Sequence, residues 1–225
     1  MVTPVSQLLR VLLVDDDPFT LLGLASTVRA FNVEVVAEAG DAPTAMRAAH
    51  EHRPDAAIVD LDLGEGPTGI DLARAMRRDL PNIGIVMVST YTDPRLMGHN
   101  QAPLPDGSIY LVKRAITEPG VLERALLASL DPESEPVRKQ RRSRASESLL
   151  AQLSDHQIEV WRLVAAGCSN SEISRLRSIN EPSVEKAIAR LIKHFDLKAT
   201  KGQNQRVMLV QAYYDVIGMT RARTR

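Results

Sequence analysis

The feature that most constrains the fold is a short apolar run that ends in a carboxylate. The run Ala56–Val59 leads directly into Asp60, and Gly64 and Gly66 follow. A continuous apolar run bounded by turn residues is typical of a strand that is buried on both faces. Ligands bind just beyond the carboxyl ends of the strands in an open parallel sheet, so Asp60 stands at a position suited to function. An aspartate at the end of a single strand is also a common turn cap, and Asp60 alone therefore does not establish a site.

Apolar strands alternate with helical patterns over the first 130 residues. Strands are predicted at 8–14, 33–37, 56–60, 83–88 and 109–112, and helices at 18–31, 42–53, 70–79 and 119–130. Asp17 before Pro18 is typical of a helix start, and the apolar positions of that first helix are Leu21, Leu22, Leu24 and Val28. Strands and helices in this order predict an α/β fold with a doubly wound parallel sheet of five strands.

Polar side chains follow four of the five predicted strands. They are Asp15 and Asp16, Asp60, Ser89 and Thr90, and Lys113. The carboxyl ends of parallel strands meet on one rim of the sheet, where carboxylates from two strands form an oxygen-rich site that suits Mg²⁺. A hydroxyl and a lysine beside them suit a phosphoryl group.

In this arrangement, residues 9–130 resemble the receiver domain of two-component response regulators, which has a flavodoxin-like sheet. The resemblance implies that Asp60 accepts a phosphoryl group from a sensor histidine kinase. It implies that Mg²⁺ is held by Asp15, Asp16, Asp60 and the backbone carbonyl of Asp62. It further implies roles for Lys113 at the phosphoryl group and for Ser89, Thr90 and Tyr110 in the switch that follows.

Several positions depart from the receiver pattern. Gly64 replaces the usual proline, the loop to Gly69 is one residue longer, Thr90 replaces a small residue, and Arg114 replaces a proline. Glycines and prolines in residues 95–108 leave room for a short fourth helix at most. Because the fourth helix belongs to the usual signalling face of receivers, that face is altered here.

A rival interpretation of Asp60-Leu61-Asp62 is the nucleophile and general acid of a haloacid-dehalogenase-type phosphatase. Those enzymes place this motif on their first strand and their metal-binding acids last. Here Asp15 and Asp16 come first, and Gly64 stands where those enzymes carry threonine or valine. We therefore do not expect an enzyme.

Charge divides the chain into two halves. Residues 1–130 carry 11 basic against 17 acidic side chains, and residues 131–225 carry 17 against 11. A basic second half suggests an anionic partner.

The single cysteine, Cys168, fits a reducing compartment, and no apolar run is long enough to span a bilayer. Met1–Pro4 lacks a signal-peptide pattern, so we expect a cytoplasmic protein with no membrane partner.

The second half begins with a polar linker and is then purely helical. The predicted division is a receiver domain at 1–130, a linker at 131–148 and a smaller all-α domain at 149–225. A capping box of Ser169 and Glu172 opens a short helix that carries Ile173 and Leu176. Asn180 then caps a longer helix with the apolar positions Val184, Ala187, Ile188, Leu191, Ile192 and Phe195. Short helix, turn and longer helix predict a helix-turn-helix.

The second half resembles the LuxR-type output domain of NarL/FixJ-type regulators. The resemblance rests on Leu153, Glu159, Val160, Gly167, Ser169, Asn170, Glu172, Ile173, Val184 and Leu191. It implies binding to double-stranded DNA and a dimerisation helix near Val207–Val216. We expect the DNA-facing residues to be Ser183, Glu185, Lys186, Arg190, Lys193 and Lys201, with Lys198 and Arg206 in the same exposed basic set. Glu185 replaces a usual lysine, Ala189 a usual polar base reader and Arg177 a usual leucine.

The sequence thus predicts a response regulator in which phosphorylation of Asp60 controls dimerisation and DNA binding to regulate transcription. The active form is expected to be a homodimer. The altered fourth helix, Arg114 and Glu185 leave one alternative open, a phosphorylation-independent or protein-binding regulator.

Overall fold

The computed structural model describes residues 8–31, 33–98, 102–131, 149–200 and 202–217. These residues form two compact units. The first contains residues 8–89 and 102–131, and the second contains residues 90–98 and 149–217. Within the described residues, no helix has the length and apolar character needed to cross a membrane.

The first unit is built on a parallel sheet of five strands. The strands are β1 (Leu9–Val14), β2 (Val33–Ala39), β3 (Ala56–Asp60), β4 (Gly84–Ser89) and β5 (Ile109–Val112), in the order β2-β1-β3-β4-β5. Every residue of β3 and β4 is buried, as their apolar sequences predict. The predicted fold class is therefore confirmed. The order also places β3 at the centre of the sheet, with the ends of β1 and β4 on either side of Asp60.

Four helices surround this sheet: α1 (Pro18–Val28), α2 (Ala42–His52), α3 (Gly69–Asp79) and α4 (Pro119–Leu130). Their starts follow the sequence closely, because Asp17 and Asp41 accept hydrogen bonds from the backbones of Phe19 and Thr44. The predicted end of α1 and the predicted burial of Leu22 are both wrong. The helix ends at Val28, and Leu22 is 65% exposed rather than buried.

The loop between β3 and α3 requires glycine where it approaches the sheet. A Cβ atom at residue 69 would overlap with the backbone carbonyl oxygen of Asp60. The amide of Gly69 also donates to the carbonyl of Leu61, at 2.9 Å. A capping box of Thr68 and Asp71 fixes the first turn of α3 just beyond this point. Helix α3 is thereby held directly against the end of β3.

The second unit is helical. It comprises α5 (Asp155–Ala165), α6 (Asn170–Arg177), α7 (Glu181–His194) and α8 (Gln205–Ile217), with a 3-10 turn at Leu149–Gln152. Trp161 lies in its core, where the indole N–H donates to the Leu209 carbonyl at 2.8 Å. The Trp161 ring contacts Phe195 and Tyr213, with ring centroids 4.4 and 5.3 Å away.

Two predictions for α6 are wrong in detail. Leu176 is exposed, so Ile173 alone anchors this helix in the core. Ser169 accepts a hydrogen bond from the Glu172 amide, but the Glu172 carboxylate pairs with Arg175. The helix start therefore has half of a capping box.

The second unit also contains a segment that the sequence assigned to the receiver. Residues 90–98 follow β4 and include a 3-10 helix at Pro94–Met97, where the resemblance led us to expect a fourth helix. Among the described residues of 95–108, which exclude 99–101, this 3-10 helix is the only helix, as predicted. The burial of Leu96 in the core formed by α5, α7 and α8 was not predicted.

Gly69→Ala should destabilise the first unit by about 2–4 kcal/mol, because the new methyl group can be accommodated only if α3 moves away from β3. Urea unfolding followed by far-UV circular dichroism measures the change. The matched control is Gly23→Ala in α1, where nothing lies within 4 Å of the added Cβ atom. That variant should gain about 0.5–1 kcal/mol from helix propensity. Equal effects of the two substitutions would contradict this account.

Candidate functional site

Three carboxylates converge at the rim where β1 and β3 end. Asp15 and Asp60 are 1% and 7% exposed, whereas Asp16 faces solvent. One carboxylate oxygen of each residue lies within 4.8 Å of the others. Because β1 and β3 are neighbours and end at the same level, with Val14 paired to Val59, the residues that follow them meet. The predicted acidic cluster is thus present in the structure.

Lys113 joins the two buried carboxylates. Its ammonium donates to Asp15 at 2.8 Å and to Asp60 at 2.7 Å. Lys113 follows β5 directly and begins a 3-10 turn at Lys113–Ala115, which turns the chain away from the sheet. The lysine therefore reaches across the end of β4 to both acids, as its position after the last strand predicts.

Backbone amides fix the two buried carboxylates as well. The other oxygen of Asp60 accepts from the amide of Leu61 at 2.7 Å, and Asp15 accepts from the amide of Asp17 at 3.0 Å. Each acid is thus held by one amide and by Lys113. This arrangement leaves little rotational freedom to the Asp60 carboxylate.

Burial is the main cause of the raised pKa of the Asp60 carboxyl. Removal from water, partly offset by Lys113, raises the pKa of its carboxyl from 3.8 to about 6. Burial opposes the charge of Lys113 too, but the hydrogen bonds that its ammonium donates to Asp15 and Asp60 outweigh burial and raise the pKa of the ammonium. Near neutral pH, Asp60 is mostly ionised and Lys113 remains a cation.

The remaining predicted switch and metal positions differ in exposure. Ser89, at the end of β4, and Tyr110, in β5, are buried, whereas Thr90 is exposed. The register pairs Asp60 with Val88 and Tyr110 with Met87, so Ser89 lies at the rim next to Asp60. The side chain of Asp62 is exposed and accepts from the Gly64 amide at 3.2 Å.

The donor set fits a hard divalent cation. Carboxylate oxygens are the preferred ligands of Mg²⁺, and the exposed Asp16 leaves one side of the cluster open to water, which Mg²⁺ retains. Lys113 offsets part of the negative charge of Asp15 and Asp60. The described residues therefore form a cluster that can hold a metal ion beside Asp60.

Helix α7 presents a second candidate site. Its inner face is formed by Val184, Ala187, Ile188 and Leu191, as the spacing predicts. The candidate DNA-facing residues on this helix are all exposed, namely Ser183, Glu185, Lys186, Arg190 and Lys193. Lys201 lies outside the described residues. The α7 surface therefore carries both a carboxylate and three cations.

Arg206 was predicted to belong to the exposed basic set, but in the structure it forms hydrogen bonds within the second unit. It is half-buried and donates to the Asn170 side chain at 2.8 Å and to the carbonyl of Cys168. It therefore ties the start of α6 to the start of α8 and is not part of the exposed basic set. This pairing could not be predicted from the sequence, because the partners are 36 and 38 residues away.

Comparisons of the sequence find a family model and relatives that are similar to this chain. Residues 11–109 match the family model described as the response regulator receiver domain. The response regulator protein VraR of Staphylococcus saprophyticus is 25% identical over 197 residues, which cover 84% of this chain and 91% of VraR. VraR of Staphylococcus epidermidis is 26% identical with the same coverage.

Solved structures of other proteins are similar to this chain in fold. RcsB from Salmonella enterica serovar Typhimurium, bound to promoter P1flhDC in the presence of phosphomimetic BeF3⁻, is 20% identical with a TM-score of 0.55, covering 93% of this chain and 100% of that one. A two-component response regulator RcsB–DNA complex is 19% identical with a TM-score of 0.54, covering 93% and 99%. At this identity the likeness concerns the fold alone.

Asp60→Asn should stabilise the first unit at pH 7.5 in EDTA, and the gain should vanish at low pH. A carboxyl with a raised folded-state pKa favours folding while it is protonated, and this contribution is lost as the pH rises from about 4 through about 6. Asparagine mimics the protonated acid, so the variant should be more stable by on the order of 2 kcal/mol at pH 7.5. Urea unfolding at pH 4, 5, 6 and 7.5 measures the difference.

The matched control is Asp62→Asn, which alters an exposed carboxylate two residues away. Its stability difference from the wild-type chain should be small at every pH. A stability difference for Asp60→Asn that does not change with pH would show that burial of the ionised carboxylate has no cost.

Proposed function

We propose that this chain, a two-component response regulator with its receiver domain at residues 11–109, is switched by transfer of a phosphoryl group to Asp60. The phosphorylated receiver controls dimerisation and the binding of the second unit to double-stranded DNA, and so regulates transcription. The observation that carries the proposal is the contact of one lysine, Lys113, with both Asp15 and Asp60 at the rim.

Asp60 acts as the nucleophile. One carboxylate oxygen attacks the phosphorus of a phosphohistidine in a sensor kinase, an O–P bond forms, and the P–N bond of the donor breaks. The imidazole then leaves with its electron pair. A pKa of about 6 keeps most of Asp60 ionised at neutral pH, and Lys113 lies where it can pair with an oxygen of the phosphoryl group.

Mg²⁺ is the metal that we assign to the acidic cluster. Asp15, Asp16 and Asp60 would hold it, together with the backbone carbonyl of Asp62. Bound there, the cation neutralises charge on the phosphoryl oxygens. Ser89 lies at the rim, where its hydroxyl would donate to a phosphoryl oxygen, and Thr90 and Tyr110 would move with it.

Helix α7 is proposed to enter the major groove. Lys186 and Arg190 can donate to guanine, and Glu185 can accept from the amino group of cytosine. Ser183, Lys193 and Lys201 are assigned to the phosphate backbone. Two such units in a homodimer would read two half-sites.

The two rival functions are less well supported. A phosphatase needs Asp62 as a general acid, but its carboxylate is exposed and engaged with its own loop. A phosphorylation-independent regulator is favoured by one observation, the replacement of the fourth receiver helix by residues 90–98. A selection of duplexes from random DNA, with and without Mg²⁺ and a small phosphodonor, separates this function from ours. Enrichment that ignores the phosphodonor would favour the alternative.

Treatment with a small phosphodonor and Mg²⁺ should add one phosphoryl group to the chain, and Asp60→Asn should abolish the addition. The reason is that Asp60 is the carboxylate held beside both Lys113 and the acidic cluster. Intact mass spectrometry measures the modification. Asp62→Asn is the control and should still be phosphorylated, since only its backbone carbonyl is assigned to the metal. Persistent modification of the Asp60→Asn variant would refute the assignment.

Glu185→Lys should strengthen binding to random-sequence duplex and steepen its salt dependence by roughly one phosphate contact. It should also weaken discrimination at one base pair by about 1–3 kcal/mol. A salt titration of duplex affinity measures both effects. Glu123→Lys, on the exposed side of α4, makes the same charge change on the first unit and should leave the slope unaltered. Equal slopes for all three proteins would mean that α7 does not enter DNA.

A further inference from the structure

The loop that follows β3 is fixed on both sides of Asp62. Leu61 and Leu63 are 0% and 5% exposed, so a buried side chain stands before and after this residue. The Leu61 amide donates to the Asp60 carboxylate at 2.7 Å, and the Leu61 carbonyl accepts from the Gly69 amide at 2.9 Å. The side chain of Asp62 is exposed. The course of the backbone is therefore set, and the direction of the Asp62 carbonyl depends on the torsion angles of Asp62 itself.

The Asp62 carboxylate closes a turn within this loop. Its Oδ1 atom accepts a hydrogen bond from the Gly64 amide at 3.2 Å. A hydrogen bond from an aspartate side chain to the amide two residues later is an Asx turn. The ring that it closes contains the Cα–C bond of Asp62, and rotation about that bond turns the Asp62 carbonyl. The side chain thus restrains the carbonyl of its own residue.

Gly64 brings this turn next to the acidic cluster. Its φ of +73° lies in the left-handed region that favours glycine. A Cβ atom at residue 64 would lie 3.6 Å from Oδ2 of Asp16, so the backbone of the turn passes beside this carboxylate. The proline that is usual in receivers could not adopt this φ and has no amide hydrogen to donate to Asp62. The turn therefore depends on a glycine that departs from the receiver pattern.

The carbonyl oxygen of Asp62 is available to a cation. Among the residues that the structure describes, no hydrogen-bond donor is paired with this oxygen. Mg²⁺ requires oxygen ligands at about 2.0–2.1 Å in near-ideal octahedral geometry. A ligand whose direction is fixed before the cation arrives loses less freedom on binding, so a restrained carbonyl favours Mg²⁺ more than a rotating one.

We propose that Asp62 is a positioning residue for Mg²⁺, which acts through the hydrogen bond of its side chain to Gly64 and not through its charge. The turn holds the Asp62 carbonyl in a direction that suits the cation at Asp15, Asp16 and Asp60. The proposal rests on the proposed function, because that function assigns the Asp62 carbonyl to the metal. The turn and the cluster belong to the same unit.

Three substitutions in the full chain separate the hydrogen bond from the charge. Asp62→Asn keeps an acceptor oxygen at the same place in the side chain but removes the charge. Asp62→Glu keeps the charge, but its carboxylate is one methylene further from the backbone and cannot close the same turn. Asp62→Ala removes both. Glu65→Gln is the matched control, because it removes the charge of another exposed acid in the same loop.

Mg²⁺ alone is the probe. Its Kd is obtained from the increase of the urea midpoint with Mg²⁺ concentration, because a ligand that binds the folded chain stabilises it. Asp62→Ala and Asp62→Glu should raise the Kd by about three- to tenfold, the loss expected for one hydrogen bond. Asp62→Asn and Glu65→Gln should stay within about twofold of the wild-type Kd, since exposed charges contribute little. Without Mg²⁺, the Gly64 amide should exchange faster in Asp62→Ala and Asp62→Glu than in Asp62→Asn.

Gly64→Pro gives an independent test, because it removes the donor of the same hydrogen bond. This variant should also weaken Mg²⁺ binding, although it restores the residue that is usual in receivers. The double variant with Asp62→Ala should bind no more weakly than Gly64→Pro alone, since both substitutions remove one interaction. Gly66→Ala controls for backbone strain in the loop, because Gly66 has a φ of +112° and nothing lies within 4 Å of its added Cβ atom. Its Kd should match that of the wild-type chain.

Two results would overturn the positioning role while the metal site stands. One is a wild-type Kd in Asp62→Ala. The other is a Kd that Asp62→Asn raises as much as Asp62→Ala does while Asp62→Glu leaves it unchanged, which would show that the charge acts. If Mg²⁺ fails to stabilise the wild-type chain, the metal assignment of the proposed function fails, and the positioning role fails with it. The wild-type titration therefore distinguishes the two failures.

Discussion

The contact of Lys113 with Asp15 and Asp60 is the interaction on which the first unit's site depends. Three strand ends must stop at the same level for one ammonium to reach both acids at 2.7–2.8 Å. The sheet order meets this need by placing β3 between β1 and β4 and by ending β5 one strand away. Close packing of α3 at Gly69 then holds the Asp60 end of β3 in place. The chemistry at the rim is therefore a property of the whole sheet.

Much of this arrangement could be predicted from the sequence, because it depends on local patterns. Apolar runs define the strands, Asp17, Asp41 and Asn180 define helix starts, and the parallel order brings strand-end residues together. The predictions are wrong where the burial of a side chain depends on residues that are distant in the sequence. Leu22 and Leu176 have the right spacing for burial, but no element among the described residues covers them, and both are exposed.

The position of residues 90–98 was the largest feature that the sequence did not predict. The glycines and prolines nearby indicate only that a regular helix is absent. Leu96 and Arg95 look like residues of any surface turn, and the partners Tyr213 and Leu150 lie 117 and 55 residues further along the chain. Arg206 is a similar case, because a basic residue in a basic domain suggests DNA until its hydrogen bonds to Asn170 and Cys168 are seen. Pairings of this kind leave no periodic signal.

The division of the chain between the units has a consequence for dissection by proteolysis. Cleavage within residues 132–148 divides the chain into two fragments. The C-terminal fragment is not the complete second unit, because residues 90–98 remain on the N-terminal fragment. A C-terminal fragment that starts at 149 lacks Leu96, so its core would miss one of its buried side chains. The two fragments would then complement each other, with one supplying a missing piece of hydrophobic core to the other. The contacts of Leu96 thus cross the domain boundary that the sequence predicts.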